Sequence, residues 1–165
     1  MKIREAVLAL VLPLSLASQE KIRFGIQAGM AFPIGELANL ADVGPRVSFT
    51  MQDNVDSRTI FRAQLEYSTL NSKLKDIHSA NFQIFNLDLD SLFYFTDIEG
   101  ALYGIIGMGI YRTQFGPDNT RTRPGGSVGL GYSFSRKISV EIKYTGIVSR
   151  NTKTEMFLAS LVYCF

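Results

Sequence analysis

The sequence has few of the residues from which catalytic and metal sites are usually built. Its 165 residues include one cysteine, one histidine and no tryptophan. The single cysteine, Cys164, cannot form an internal disulfide, and its place near the end of the chain excludes a lipid-bearing cysteine at the N-terminus. The sequence also lacks the Cys/His spacing of a zinc site and the glycine-rich loop of a phosphate site. We therefore expect neither a bound metal nor any other cofactor.

Charge is also scarce, and the two signs nearly balance. The formal net charge is +2, and no stretch gathers lysine or arginine into a stripe, so a nucleic-acid partner is not expected. Apolar residues make up 46% of the chain, and the mean hydropathy is +0.10. These values fit a soluble protein. They fit a transmembrane β-barrel equally well, because its lipid-facing and lumen-facing residues alternate and average out.

Long hydrophobic runs are missing except at the N-terminus. A charged segment at 1–5 precedes an apolar run at 6–16. This run is shorter than the roughly 20 residues that a helix needs to span a bilayer, and small residues near its end suit a signal peptidase. We predict a signal peptide at 1–17, with cleavage after Ser18 as the alternative, and one mature domain at 18–165. The competing interpretation is a membrane anchor.

From residue 23 onward, apolar residues recur at every second position, which is the period of a β-strand. The last stretch shows this most clearly, because Phe157, Ala159, Leu161, Tyr163 and Phe165 fall on one face. An edge strand with such a face would aggregate in water. Eight strands are predicted in this way, at 23–34, 46–52, 58–68, 81–95, 100–112, 125–134, 138–148 and 155–165.

The predicted connections alternate in length. Long polar segments at 33–45, 69–80 and 113–124 are interleaved with short turns at 53–56, 96–99 and 135–137, and a modest segment at 149–153 precedes the last strand. Outer-membrane barrels have long external loops at one end and short periplasmic turns at the other. The order therefore predicts a barrel whose two mature termini lie at the turn end.

Two further features favour lipid over water around these strands. A soluble barrel of the lipocalin type, or a β-sandwich, would turn its bulky apolar face inward. Here the opposite face carries small residues that suit the narrow interior of eight strands, namely Gly25, Gly29, Gly107, Gly109, Gly129 and Gly131. Aromatic residues also gather near both ends of the strands, as in membrane girdles. The predicted fold is an all-β, eight-stranded antiparallel up-and-down transmembrane β-barrel.

The inward face of this barrel collects charged residues of both signs. They are Arg46, Arg62, Glu66, Asp88, Asp90, Glu141 and Lys143. Buried charges need partners, and eight strands leave little lumen. We therefore predict a network of ion pairs and hydrogen bonds that plugs the barrel. The alternative is a narrow polar conduit.

The ending of the chain resembles a known assembly signal. Phe165 is terminal, Tyr163 precedes it by two residues, and Leu161, Ala159 and Phe157 continue the pattern. With these residues, the chain resembles the small outer-membrane barrels of the OmpA-transmembrane-domain and OmpX type from about residue 23 to residue 165. The segment 24–29 followed by 33–37 also resembles outer-membrane barrel proteins of Bacteroidetes-type bacteria. The resemblance implies a bacterial outer-membrane location and recognition by the barrel assembly machinery.

Enzymatic activity is not expected. Some small membrane barrels modify lipids by acyl chemistry, which uses a histidine oriented by a carboxylate and placed next to a serine. His78 has Ser79 beside it and Asp76 nearby, but all three fall in a predicted loop.

The loops remain as the candidate binding regions. Arg112, Arg121 and Arg123 lie in or beside the third long loop, where arginine could bind lipopolysaccharide phosphates. We expect a monomer that contacts outer-membrane lipid and lipopolysaccharide, with a structural or loop-mediated role. The alternatives are a narrow conduit for small apolar molecules and a lipid-modifying enzyme.

Overall fold

A computed structural model describes residues 22–73, 81–96, 100–115, 119–148 and 154–165. The predicted signal peptide and the segment around His78 lie outside these residues. The described chain forms eight long strands: β1 (Arg23–Ile34), β2 (Gly44–Asn54), β3 (Thr59–Ser72), β4 (Phe82–Tyr94), β5 (Ala101–Phe115), β6 (Asn119–Ser133), β7 (Ile138–Ile147) and β8 (Thr154–Cys164). No helix among the described residues is long and apolar enough to cross a membrane.

The eight strands close into a barrel. Each strand pairs antiparallel with the next along the chain. Strand β8 then pairs with β1, from Gly25 opposite Cys164 to Ile34 opposite Glu155. The predicted eight-stranded antiparallel barrel is confirmed. The start of β1 and the end of β8 lie at the end of the barrel that also carries the connections 55–58, 95–100 and 134–137; we call this the turn end and the opposite one the loop end.

The connection between β1 and β2 has structure of its own. It contains a short 3-10 helix, Leu37–Asn39, and a two-residue strand, Ala41–Asp42. That short strand pairs with the end of β3, where Ala41 lies opposite Ser72. Strand β3 therefore extends four residues beyond its predicted end at 68.

The predicted long connection at 113–124 is wrong. Strand β5 continues to Phe115 and β6 begins at Asn119, and the two strands stay paired as far as Phe115 opposite Asn119. Polar residues and a proline suggested a loop, but threonine at alternate positions favours a strand. Pro124 is tolerated because it lies where the pairing of β6 with β7 ends, at Gly125 opposite Ile147. Its ring nitrogen has no hydrogen to donate to a neighbouring strand. Its carbonyl accepts a hydrogen bond from the Val148 N–H, at 2.9 Å.

The outer face of the barrel is apolar, as the alternation predicted. Met108 is 70% exposed and Ile106 is 61% exposed, although both lie in mid-strand. Among the described residues, charged side chains reach this face only near strand ends, at Asp42, Asp53, Arg112 and Glu155. A contiguous apolar surface of this extent is unfavourable in water.

Aromatic side chains border the outer face at both ends. At the loop end, Phe32 lies opposite Phe157, and the Phe157 ring packs edge-on against Tyr144 at 5.6 Å. At the turn end, the rings of Tyr132 and Phe134 pack at 5.0 Å. Aromatic girdles of this kind mark the two interfaces of membrane barrels.

Candidate functional site

The interior of the barrel is arranged in three layers along its axis. At the loop end lies an apolar group, the loop-end cluster, of Ala31, Leu37, Ala41, Leu70, Ile84, Tyr111, Ile147, Met156 and Leu158. At the turn end lies a second apolar group, the turn-end cluster, of Ile60, Leu92, Tyr94, Ala101, Tyr103 and Ile105. Between them is a charged layer that contains the seven inward charged residues identified in the sequence, all of them buried.

Arg62 is the central cation of the charged layer. Its side chain is 1% exposed. Its guanidinium donates from Nη1 and Nη2 to the two carboxylate oxygens of Glu141, at 2.6 and 3.0 Å. It also donates from Nε and Nη2 to Asp90, at 3.2 and 2.8 Å. The two bonds to Glu141 have the bidentate geometry that makes guanidinium–carboxylate pairs strong, whereas both bonds to Asp90 end on its Oδ2.

The pairing of Arg62 with Glu141 crosses the lumen. Arg62 lies on β3 and Glu141 on β7, and three strands separate the two on either side of the ring. The Tyr103 hydroxyl, from the turn-end cluster, donates to the same Glu141 carboxylate at 2.8 Å. The side chains of three strands thus meet at the centre of the barrel.

Lys143 connects the remaining carboxylates. Its Nζ lies 3.2 Å from Asp90 Oδ2 and 3.5 Å from Asp88 Oδ2. Asn86 donates to Asp88 at 2.9 Å. Asp90 therefore has two cationic partners, whereas Asp88 has one cation and an amide.

Arg46 and Glu66 form a second group nearer the loop end. The two side chains are in direct contact on the neighbouring strands β2 and β3. Gln64 and Ser68 also donate to the Glu66 carboxylate, at 2.8 and 3.2 Å. The other guanidinium nitrogen of Arg46 lies 3.4 Å from Ser160 Oγ on β8.

Inward glycines make room for these large side chains. A Cβ added at Gly107 would lie 2.0 Å from an Asp90 carboxylate oxygen, and one at Gly109 would lie 1.9 Å from that of Asp88. On β6, a Cβ at Gly131 would lie 2.2 Å from the Tyr103 ring. Each of these glycines faces a specific side chain of the interior.

The charged residues of the interior could be predicted from the sequence, whereas the two apolar clusters were not predicted. Their signal was present in strands with apolar residues on both faces, such as β5, where Ile105 points inward and Ile106 outward.

A further cavity, the mouth pocket, opens at the loop end above the loop-end cluster. It has a volume of about 200 Å³, and its lining includes Leu40, Phe82, Phe115, Arg121, Arg123 and Ile147. Arg121 and Arg123 were predicted to share a loop rim with Arg112. The structure separates them, because Arg112 lies on the outer face whereas the other two line the pocket.

The predicted assembly-signal residues lie on the outer face of β8. Phe157, Leu161, Tyr163 and Phe165 are each exposed there. The Phe165 N–H donates to the Phe24 carbonyl at 2.8 Å, so the end of the chain is fixed to the start of β1.

Metal binding finds no support in the described residues. Within 22–73, 81–96, 100–115, 119–148 and 154–165, no three Asp, Glu, His or Cys side chains are grouped in a way that could hold a metal ion.

No protein-family model and no curated protein matches this chain. Solved structures match it at the level of the fold. The crystal structure of Neisserial surface protein A aligns with a TM-score of 0.60 at 15% identity, over 87% of this chain and 97% of that one. Ail, the attachment invasion locus protein of Yersinia pestis, aligns at 0.58 and 13%, over 88% and 100%.

The N-terminal β-barrel domain of Pseudomonas aeruginosa OprF gives a similar result. Its TM-score is 0.56 at 12% identity, over 87% of this chain and 97% of that domain. At identities this low, the alignments show a shared fold and nothing more specific. The chain therefore has the fold of the small eight-stranded outer-membrane β-barrels, as the resemblance implied.

Proposed function

We propose that this protein is an integral outer-membrane barrel with a lumen closed by side chains, and that it acts as a structural scaffold whose loop end meets partners outside the cell. The observation that carries the closed lumen is the pairing of Arg62 on β3 with Glu141 on β7 across the full width of the barrel. The apolar outer face with its aromatic borders supports the membrane location.

The layering of the interior supports closure over conduction. A permeating solute would have to displace two apolar clusters and separate the ion pairs between them. Removing one partner of a buried ion pair costs about 3–5 kcal/mol. At the turn end, the cavity that reaches Arg62 and Glu141 measures about 20 Å³, which is room for about one water molecule.

Conductance in planar bilayers tests this proposal. The refolded protein should show no steady single-channel current, because the lumen has no continuous aqueous path. Slower migration of the heated sample than of the unheated sample on a gel would establish that the protein used was folded. A reproducible steady conductance from such a sample would overturn the closed lumen and favour the conduit.

We also propose that the protein is not an enzyme. The fold is shared with an attachment invasion locus protein and with a barrel domain, and this supports a non-catalytic role. The lipid A mass profile of a strain lacking the gene should match that of its parent. An altered acyl pattern, restored by the wild-type gene, would favour the lipid-modifying alternative.

Contact with lipopolysaccharide and delivery by the assembly machinery belong to the same proposal. Arg112 is exposed on the outer face near the loop end, where a guanidinium can pair with lipid phosphate. Exposed Tyr163 and Phe165 at the end of β8 suit a recognition signal. Phe165→Ala should lower the amount of folded protein in the outer membrane in a pulse-chase experiment, and unchanged assembly would contradict the signal.

A further inference from the structure

The mouth pocket exists because the barrel wall is taller on one side. Pairing between β6 and β7 stops at Gly125 opposite Ile147, whereas β5 and β6 remain paired for six further positions, to Phe115 opposite Asn119. Strand β4 supports this extension, since Phe82 lies opposite Phe115. The inner side of the projecting hairpin faces the mouth of the barrel.

One part of the pocket is apolar. The rings of Phe82 and Phe115 are half-buried, with their centroids 6.2 Å apart. Phe82 packs on the loop-end cluster, and Leu40 and Ile147 complete this part of the lining. The loop-end cluster closes the pocket from below, so a ligand would enter from the aqueous side and not from the lipid.

The other part of the pocket is cationic. Arg121 and Arg123 share the inner face of β6, with their Cα atoms about 7 Å apart, since a strand rises roughly 3.3 Å per residue. Within the described residues, neither guanidinium has an ion-pair partner.

We propose that the mouth pocket binds small amphipathic carboxylates from the external medium. The carboxylate pairs with Arg121 and Arg123, because a guanidinium matches the planar geometry of a carboxylate. The apolar tail lies against Phe82 and Phe115. A volume of about 200 Å³ takes about six or seven heavy atoms at roughly 30 Å³ each. This is enough for the six carbons of a six-carbon carboxylate, whose two oxygens lie at the guanidinium groups of the two arginines.

The test uses the full protein in lipid nanodiscs, with sodium hexanoate as the probe. Backbone amide resonances of Thr113, Phe115, Arg121 and Arg123 report binding at the pocket itself, which separates it from partition into the lipid. Hexanoate should shift these resonances to saturation. Acetate, which lacks the tail, and hexan-1-ol, which lacks the charge, should each bind at least about ten-fold more weakly.

Variants of the hairpin sharpen the test. Arg121→Gln combined with Arg123→Gln should weaken hexanoate binding by about ten-fold or more, because a hydrogen bond to a charged group contributes at least this much. Arg112→Gln, on the opposite face of the same hairpin, should leave the affinity unchanged.

Three results would overturn the proposal: shifts that do not saturate, hexan-1-ol binding as well as hexanoate, or the double variant binding as well as the wild type. If the double variant fails to fold, the affinities of the wild type for hexanoate, acetate and hexan-1-ol still test the proposal. The pocket lies above the loop-end cluster, so this result is independent of the conductance measurement.

Discussion

The two faces of each strand follow different rules. On the outer face, an apolar side chain such as Leu65 is exposed and needs only to be apolar, since its surroundings are fluid lipid in the proposed location. On the inner face of the same strand, Arg62 is bonded to two specific carboxylates. The outer face therefore sets where the protein resides, and the inner face sets which single structure it adopts there. Variants at matched outward and inward positions test this difference.

The largest effect is expected at Arg62. Arg62→Met keeps much of the side-chain volume but leaves Asp90 and Glu141 buried with less compensation, so the free energy of unfolding should fall by about 3–5 kcal/mol. Reversible urea unfolding in lipid measures this change. Leu65→Ile, on the outer face of the same strand, is the control and should change stability by less than about 0.5 kcal/mol. Equal effects of the two variants would contradict the distinction between the faces.

A smaller effect is expected at an inward glycine. Gly131→Ala places a methyl group against the Tyr103 ring, where the nearest ring atom would be 2.2 Å away. Overpacking of this kind costs about 1–3 kcal/mol. The matched control is Gly104→Ala on the outer face, where the nearest atom, in the Phe95 ring, would be 3.8 Å away. The same unfolding measurement should find the stability of the control close to that of the wild type. A larger loss of stability for Gly104→Ala than for Gly131→Ala would contradict the distinction between the two faces.

Removing the Tyr103 hydroxyl should lower the free energy of unfolding somewhat less than Gly131→Ala does. Tyr103→Phe removes the bond to the Glu141 carboxylate, and a hydrogen bond to a charged group contributes roughly 1.5 kcal/mol or more. Tyr163→Phe, exposed on the outer face, provides the comparison and should be nearly neutral. If both variants unfold at the wild-type urea concentration, the turn-end cluster is not coupled to the charged layer.

The smallest effect is expected outside both faces, in the turn at 55–58. The Asp56 carboxylate accepts bonds from the backbone N–H groups of Arg58 and Thr59, at 2.7 and 2.8 Å. The bond from the Arg58 N–H is the main reason that the pKa of Asp56 is lowered. A lowered pKa means that the carboxylate stabilises the fold fully above the ordinary carboxyl range, and that this contribution is lost as the pH falls through the lowered value.

Asp56→Ala should therefore cause a slight loss of stability near neutral pH and a smaller one in strong acid, where the protonated carboxyl still accepts through its carbonyl oxygen. Asp56→Asn keeps an acceptor oxygen without a titrating group, so its difference from wild type should shrink as the pH falls. Unfolding curves recorded across the acid range measure both variants. A loss at Asp56→Ala that does not depend on pH would show that the charge of Asp56 has no part in the turn.

The difference between the faces also explains which features could be predicted from sequence. The outer face needs only apolar side chains at period two, so strands such as β1 and β7 were located closely from the alternation. The β5–β6 hairpin was missed because its extension is polar on both faces, and Pro124 suggested a loop. That hairpin carries the two arginines of the mouth pocket, which were therefore assigned to a rim with Arg112.

The partners within the lumen depend on information that periodicity does not contain. That Arg62 lies opposite Asp90 follows from the register of one hairpin, which is fixed only once the turn is known. Its second partner, Glu141, is 79 residues away and on the opposite wall, so the pair forms only when the barrel closes. The inward charges could be recognised as a set, but not as particular pairs.

A double-mutant cycle between Arg62 and Glu141 tests the central claim most directly. The single variants Arg62→Met and Glu141→Gln and the double variant are each unfolded in urea in the same lipid. Two side chains that pair across the lumen should show a coupling energy of about 2 kcal/mol or more, since residues in one ion-pair network are not additive. Additivity to within about 0.5 kcal/mol would mean that the two residues do not interact across the lumen, and it would contradict the closed lumen proposed for this barrel.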